Sequence, residues 1–468
     1  MRLINVLLNN FNALIGRNQE FDKLVASKDI GRIITGMQDN SARVTKSLLE
    51  YETKTHKIMK REDKIITDKK GNYVRTQKRW RLPIPYQTFI NEIALVFLYG
   101  RPVKWIQQSE GTDEAFQAFK DMMKSIRFDS NIRQCKRLAG AETESAMLFR
   151  VFRNSQNKPD VQIRVLAKSK GDDIRTMWDQ YGNLICAGWG YYLREDGNVN
   201  YHFDLYAASK IHRCSRVNMG WEVKTENNPV GKIPMIIFQQ RKEWDGVEDM
   251  IEREEYIGSK TADVNDYFAD PAVVATADII NGLPDKESES KLYILKEKGQ
   301  IEYLTWDSAP EAKEKELEWL EKHILSKSFT PNIDFDNMKS LSNVSGKALK
   351  QMMILADIKA AKHKETHDEL LDRISNLGKS IVGNVLNYGL KTQCENLNIG
   401  HEFQEPFGED IKEVIQELID TKDAGGMSTE TFLELHPLIQ DSTTEMERLD
   451  AEAAARRDQA DDIFGRGV

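Results

Sequence analysis

The chain has 468 residues, 40% of them apolar and 30% charged, with a mean hydropathy of -0.56. That is too long for one ordinary domain, too polar for a membrane protein and too apolar for a disordered tail. The net charge of -8 is split: residues 1–244 hold 41 Lys+Arg against 27 Asp+Glu, and residues 245–468 hold 25 against 47, so the two halves are built to face different partners.

The first sixteen residues, MRLINVLLNNFNALIG, are interrupted by asparagines and lack a small-residue cleavage site. They read as an amphipathic helix and not a signal peptide. Residues 1–52 as a whole read as helical, with Leu24, Ile30, Ile33 and Ile34 at helical spacing. Residues 54–81 hold eleven Lys/Arg and three Asp/Glu around Gly71-Asn72, which predicts a hairpin with a basic rim. Such a segment is either a solvated loop or a contact for nucleic acid or an acidic partner. Helices are expected at 86–100, 116–126 and 132–149.

A β-rich block follows, with strands at 162–166, 174–178, 184–193, 199–206 and 212–216. Turn signals at Tyr181-Gly182-Asn183 and Glu195-Asp196-Gly197-Asn198 make it an antiparallel meander. The block closes on a turn and short strand, residues 228–238. A 24-residue acidic helix is expected over 245–268, about 36 Å long. A compact strand segment, 269–306, comes next. A second helix opens at Ser308-Ala309-Pro310-Glu311 and runs to about 326. A polar loop then leads to Ser345-Gly346-Lys347, where a helix of about 40 residues begins; one that long needs a neighbour to pack against. The end of the chain is helical and acidic. Residues 401–468 hold eighteen Asp/Glu and six Lys/Arg, with helices at 410–421, 429–435 (capped by Ser428) and 445–461.

Enzyme signatures are missing. Gly378-Lys379-Ser380 lacks the glycine that would make it a phosphate loop, and Gly188-Trp189-Gly190 runs into Tyr191-Tyr192-Leu193 inside a strand. No GxSxG or HExxH occurs. Cys135, Cys186, Cys214 and Cys394 form no CxxC, which removes zinc-ribbon and redox readings and fits assembly in a reducing cytoplasm. His363 and His367 share one helix face and could grip a metal. Their place in the apolar stripe Ala356, Ala360, Leu370, Ile374, Leu377, Ile381 instead predicts packing or interface histidines.

Four stretches carry a family likeness: residues 91–105 ending in Tyr99-Gly100-Arg101-Pro102-Val103; residues 228–238, Asn-Pro-Val-Gly-Lys-Ile-Pro-Met-Ile-Ile-Phe; residues 328–331 through Ser345-Gly346-Lys347-Ala348-Leu349-Lys350; and Gly425-Gly426-Met427-Ser428-Thr429-Glu430-Thr431 with Pro437-Leu438-Ile439-Gln440-Asp441. Together they resemble the portal (connector) proteins of tailed bacteriophages, siphophage type. The resemblance implies an α+β portal fold with an α/β wing, a helical stem, a small α/β clip and a helical crown. It implies a wing over 1–244, stem helices over 245–268 and 307–327, and a clip over 269–306. A tunnel loop over 328–345, the long helix and wing return over 346–400, and a crown over 401–468 complete the division.

It also implies no catalysis, no cofactor and no metal. The expected partners are further copies of the chain in a ring, usually of twelve, then double-stranded DNA, the terminase large subunit, a head–tail adaptor, and the major capsid and scaffold proteins, with no membrane. The place is one capsid vertex of the virion, after assembly in the host cytoplasm. The residues expected to line the DNA path are Asp334, Asp336, Asn337, Lys339, Ser342, Lys347 and Lys350 in the tunnel loop, with the lysines as transient phosphate contacts. Glu248, Glu252, Glu255 and Asp263 are expected to make the stem lumen acidic, and Val273, Tyr293, Ile294 and Tyr303 to form the clip. The competing readings are a metal-dependent nucleic-acid-processing enzyme and a scaffold without a channel.

Overall fold

The structure is a computed structural model. It describes residues 25–27, 29–67, 70–195, 197–217, 220–269, 273–275, 301–303, 310–332, 353–404, 406, 411–439, 444–446, 448–449 and 451–452. The chain divides into two units, Met1–Ile333 with Ile354–Gln404, and Asp334–Met353 with Glu405–Val468.

The larger unit opens with helices α1 (Ile30–Gly36) and α2 (Ser41–Tyr51), then the hairpin β1 (Lys64–Thr67) and β2 (Tyr73–Gln77). Gly71 turns that hairpin at φ +83°, a region other residues avoid. Helices α3 (Tyr86–Tyr99), α4 (Asp113–Ser125) and α5 (Phe128–Glu142) follow, with the short strand β3 (Lys104–Gln107) between the first two. Helix α4 carries two acidic residues in its first turn and buries Ala115, Phe119, Met122 and Met123 along one stripe.

The helix expected over 132–149 is two elements. Helix α5 stops at Glu142, Thr143 takes φ 67°, and strand β4 (Glu144–Arg153) begins. No glycine or proline marks the break. Strand β4 is the middle strand of a three-stranded sheet, between β11 (Met235–Gln239) and β5 (Pro159–Leu166), and its apolar run is buried on both faces: Met147 and Phe149 join the main core, while Ala146 and Leu148 join a second cluster with Ile174, Ala187 and Tyr206. A strand buried on both sides shows no alternation, so its period does not separate it from a buried helix.

Strands β6 (Asp173–Trp178), β7 (Leu184–Glu195), β8 (Asn198–Tyr206), β9 (Lys210–Val217) and β10 (Gly220–Asn227) form an antiparallel sheet in sequence order. Four of the five expected meander strands are present and β10 is added, while the first expected strand, 162–166, is β5 of the three-stranded sheet. The two glycines of the Gly-Trp-Gly pattern are packing residues. A Cβ on Gly188 would lie 2.5 Å from the Phe203 ring, and one on Gly190 would lie 2.1 Å from the Tyr201 hydroxyl.

Helix α6 (Glu248–Ala269), strands β12 (Val273–Ala275) and β13 (Ile301–Tyr303), helix α7 (Pro310–Lys327) and the long helix α8 (Ile354–Ile381) come next. Strands β12 and β13 pair antiparallel. A π turn, Val382–Leu386, ends the long helix. The chain returns through α9 (Lys391–Asn396) to β14 (Ile399–Glu402), which pairs with β3 nearly 300 residues earlier. The main core joins α3, α4, α5, β4 and β11 to α8 through residues such as Leu98, Phe119, Phe128, Met147, Phe238 and Ile374. In the smaller unit, α10 (Ile411–Asp423) stops before Gly425 (φ +72°), and Ser428 Oγ accepts the Thr431 N–H at 3.1 Å to cap α11 (Thr429–Leu435). The expected helix start at 1–24, the strand at 292–295 and most of the helix at 445–461 lie outside the described residues.

Gly378 explains why the long helix tolerates a glycine in its interior. A Cβ there would stand 2.6 Å from the Phe119 ring. Alanine is the better helix former by about 1 kcal/mol, yet overpacking costs about 1–3 kcal/mol. Gly378→Ala is therefore expected to lower unfolding stability, read as a fall in the urea midpoint at unchanged slope; an unchanged or raised midpoint contradicts the packing role.

Candidate functional site

Four elements meet where β11 hands over to α6. The connecting residues place Glu243 in the interior, 1% exposed at its side chain. Lys136 of α5, fully buried, donates to Glu243 Oε1 and, at 2.9 Å, to Gln240 Oε1. Lys359 of α8 lies 3.0 Å from Glu243 Oε2 and also donates to the main-chain carbonyls of Glu243 (3.0 Å) and Ser328 (3.1 Å). His363 Nε2 is 3.1 Å from Glu243 Oε2. Burial alone would push the Glu243 carboxyl up, but Lys136, His363 and Lys359 outweigh it and hold it well below the usual carboxylate range. One carboxylate thus ties α5, the entry to α6, the exit from α7 and the long helix together.

His367, one turn beyond His363, is buried with Nδ1 2.9 Å from the Tyr99 hydroxyl. Both histidines are therefore packing residues with partners, and the described residues contain no cluster of three or more ligand-type side chains able to hold a metal.

Helices α6 and α7 pack side by side through Ile251, Ile257, Leu320 and Ile324, with Trp244, Val247 and Ile90 closing the same cluster. Arg253 of α6 pairs with Glu316 of α7 at 2.9 Å. Helix α6 begins where it does because Gly246 turns at φ +92° and Glu248 Oε2 accepts the Gly246 N–H at 2.7 Å. Burial raises the Glu254 carboxyl, aided by Glu321 and Glu255, to about 7, against the pull of the Tyr86 hydroxyl at 2.9 Å.

The basic segment 54–81 finds its acidic partner in the same chain. His56 Nδ1 meets Glu255 Oε1 at 2.6 Å, Lys57 meets Glu252 at 2.7 Å, and Arg61 meets Asp263 at 2.6 Å. On the return path Trp80 donates its main-chain N–H to Asp263 (2.7 Å) and its indole N–H to Asp266 (2.5 Å). Leu82 N–H then donates to Ser259 (2.9 Å) and Ile84 N–H to Glu255 (2.8 Å). The segment is a strap laid along α6, and the β1–β2 hairpin is its outer loop.

Of the residues expected to make an acidic stem face, Glu252, Glu255 and Asp263 are bound by this strap, and Glu248 pairs with Lys242. Glu255 is 1% exposed, so it presents no carboxylate to solvent. Three of these four carboxylates thus form ion pairs with lysine or arginine of the same chain, and the fourth, Glu255, meets the His56 ring. Val273 and Tyr303 are paired across β12 and β13. Tyr293, Ile294 and all seven tunnel-loop residues, Asp334, Asp336, Asn337, Lys339, Ser342, Lys347 and Lys350, lie outside the described residues. Sequence reasoning missed Lys136 and Glu243. A lysine in the apolar stripe of α5 and a glutamate just before Trp244 were the available signals.

Residues 30–459 match the family described as "Phage portal protein, SPP1 Gp6-like". The chain belongs to this phage portal family. The match spans the meander, both long paired helices, the long helix α8 and the acidic helices after it. The family is structural, and the role of this chain is that of a portal channel. Two solved chains are similar to it. One belongs to "Neck of empty GTA particle computed with C6 symmetry", at 8% identity and TM-score 0.41, covering 75% of this chain and 88% of that one. The other belongs to "Neck of native GTA particle computed with C12 symmetry", at 9% identity and TM-score 0.41, covering 76% and 90%. No curated protein matches the chain.

Removing the central carboxylate strands two buried lysines. Glu243→Ala is expected to cost about 3–5 kcal/mol of unfolding stability, measured by denaturant unfolding; a loss below about 1 kcal/mol would remove the network from its central place. The histidines set a pH dependence. Burial lowers His363 and, further, His367 from the ordinary 6.5. The unfolded chain takes up protons near pH 6.5 that the folded chain refuses. Stability is complete above that pH and falls below it, by up to about 1.4 kcal/mol per unit for each histidine. His367→Gln is expected to flatten the profile between pH 6.5 and 5; an unchanged slope there shows that other groups carry it.

Proposed function

We propose that copies of this chain close into a ring, of twelve subunits, at one vertex of a capsid, and that double-stranded DNA enters and leaves through the axial hole. The observation that carries the reading is the family match over residues 30–459, which takes in the paired helices α6 and α7, the segment between them and the long helix. In this reading α6 and α7 are the stem, 269–306 the clip, 328–345 the tunnel loop and 401–468 the crown.

The charge arrangement suits that work. Duplex DNA carries one negative charge per roughly 1.7 Å of axis, so a bare basic wall would grip it. Strap and α6 neutralise each other pair by pair, and salt screens what remains over about 8 Å. The strapped face of α6 is thus close to neutral toward a polyanion. The acidic sequence of 401–468 would keep packaged DNA from adhering to the crown. Strands β12 and β13 form a two-stranded sheet, which is marginal alone. Pairing between neighbours would remove its open edges and complete the clip, the surface offered first to the terminase large subunit and later to a head–tail adaptor. The basic wing would meet the major capsid and scaffold proteins.

Purified protein imaged in negative stain is expected to give annular particles with a central hole, and mass photometry a species of about twelve subunits. A persistent monomer would overturn the reading. Deleting residues 334–342 is expected to leave the annulus intact and to reduce DNA packaged or retained in an in vitro packaging assay, because that loop faces the axis in this reading. Loss of the annulus in the deletion would place the loop in assembly instead.

A further inference from the structure

The hairpin β1–β2 is rooted firmly at its base, and among the described residues its strands carry almost only exposed side chains. Its base is fixed: Asp63 pairs with Arg81 at 2.7 Å, Arg81 Nε donates to the Arg61 carbonyl at 2.7 Å, and Arg61 and Trp80 hold Asp263. Beyond the base both faces lie open. The register Lys64↔Gln77, Ile65↔Thr76 and Ile66↔Arg75 puts Lys64, Ile66 and Arg75 on one face and Ile65 with Val74 on the other. Ile65 is 64% exposed, Tyr73 65% and Val74 55%. A two-stranded hairpin is at best marginally stable in water without a third element against it. Residues 64–79 carry six Lys/Arg against one Asp, and Lys64, Arg75 and Lys78 make no ion pair among the described residues.

A complementary surface exists on α7. Glu311, Glu314 and Glu318 are exposed and recur at spacings of three and four, so they share one helix face. Like charges at these spacings destabilise a helix, and none of the three makes an ion pair among the described residues. Trp319, 52% exposed, stands beside them with one ring face stacked on His323 at 4.1 Å and the rest bare. Among the described residues no ion pair joins the two surfaces within one chain.

We propose that the β1–β2 hairpin of each subunit docks on the α7 face of the adjacent copy through the face that carries Lys64 and Arg75, which with Lys78 just beyond the strand stand opposite Glu311, Glu314 and Glu318. The occupant is a second copy and not DNA, because the complement of these cations is a row of carboxylates beside an indole. This rests on the ring reading, which supplies the adjacent copy; the stem helices would then be joined around the ring by a contact from the N-terminal strap.

The test is a charge exchange read by mass photometry at about 0.15 M salt, with thermal melts to confirm folding. Lys64→Glu/Arg75→Glu/Lys78→Glu and Glu311→Lys/Glu314→Lys/Glu318→Lys are each expected to lower the ring fraction by about tenfold. The sextuple variant is expected to return it to within about twofold of wild type, by about 1.4 kcal/mol per decade. Rings at wild-type level in both triple variants, or no recovery in the sextuple, overturn the docking while leaving the ring reading intact. Hairpin variants that assemble normally but lose DNA retention assign the hairpin to DNA and also overturn it. A wild-type protein that never forms rings removes the reading and the docking together. A second measurement avoids charge changes. Arg75→Cys with Glu318→Cys, oxidised in the assembled ring, is expected to give a ladder of covalent multimers on a non-reducing gel that neither single variant gives. The native thiols, all buried and with raised pKa values, stay silent. Intact rings without the ladder count against the docking.

Discussion

The fold turns on a single buried carboxylate. Glu243 sits where the three-stranded sheet ends and the first long helix begins, and its partners come from two helices far apart in sequence, the Lys136 ammonium on α5 and the Lys359 ammonium with the His363 ring on α8. Lys359 also reads the carbonyl of Ser328, the residue that follows α7. A hydrophobic cluster could join the same elements with comparable stability, because burying charges costs several kcal/mol per ion before pairing returns it. What the charges add is registry. A lysine ammonium that must find a carboxylate and two carbonyls at about 3 Å tolerates little sliding, whereas leucine against leucine tolerates more. The junction between the helix pair and the rest of the unit is thus fixed in one arrangement, as a subunit that must repeat identically around a ring requires.

The charge asymmetry of the sequence has a partly internal meaning. The basic excess of residues 54–81 and the acidic excess of α6 look like surfaces for separate partners when counted along the chain. In space much of each is spent on the other, through His56–Glu255, Lys57–Glu252 and Arg61–Asp263. A count along a sequence sees only totals; it has no access to a pairing nearly 200 residues apart. Lys64, Arg75 and Lys78 of the hairpin on one side and Glu311, Glu314 and Glu318 of α7 on the other make no ion pair among the described residues, and these two remainders are of opposite sign.

The same distinction between local and distant information governs what could be read from the sequence. The meander strands, the hairpin at Gly71-Asn72, the Ser428 cap and the helices α3, α4, α6 and α7 are legible because each is written in neighbouring residues: alternation, a turn pair, a capping oxygen, an apolar stripe. The failure at 132–149 has the opposite cause. Thr143 breaks the chain in a left-handed conformation with no glycine at that position to announce it, and residues 146–149 of β4 are all apolar because separate clusters cover the two faces of the strand. The β3–β14 pair and the Glu243 network depend on contacts of about 100 to 300 residues' separation and leave no local trace. The four family stretches, by contrast, are legible because each is a run of neighbouring residues.

Neutralisation of α6 by its own strap bears on how a portal can be both tightly built and slippery. A ring held by apolar surface alone would need broad contacts along the stem, and a ring held by free acidic and basic stripes would expose one of them to DNA. Pairing charges within the subunit leaves the strapped face of α6 with its groups already satisfied, so a phosphate gains little by replacing a carboxylate at Arg61 or Lys57. The Arg61 pair is the better protected of the two, its guanidinium being 11% exposed against 75% for the Lys57 side chain. Displacement by phosphate would therefore begin at Lys57 and stop at Arg61, the point where the strap turns outward into the hairpin. The strap can then yield at its exposed end without releasing the stem, provided that the buried His56–Glu255 contact between them stays closed.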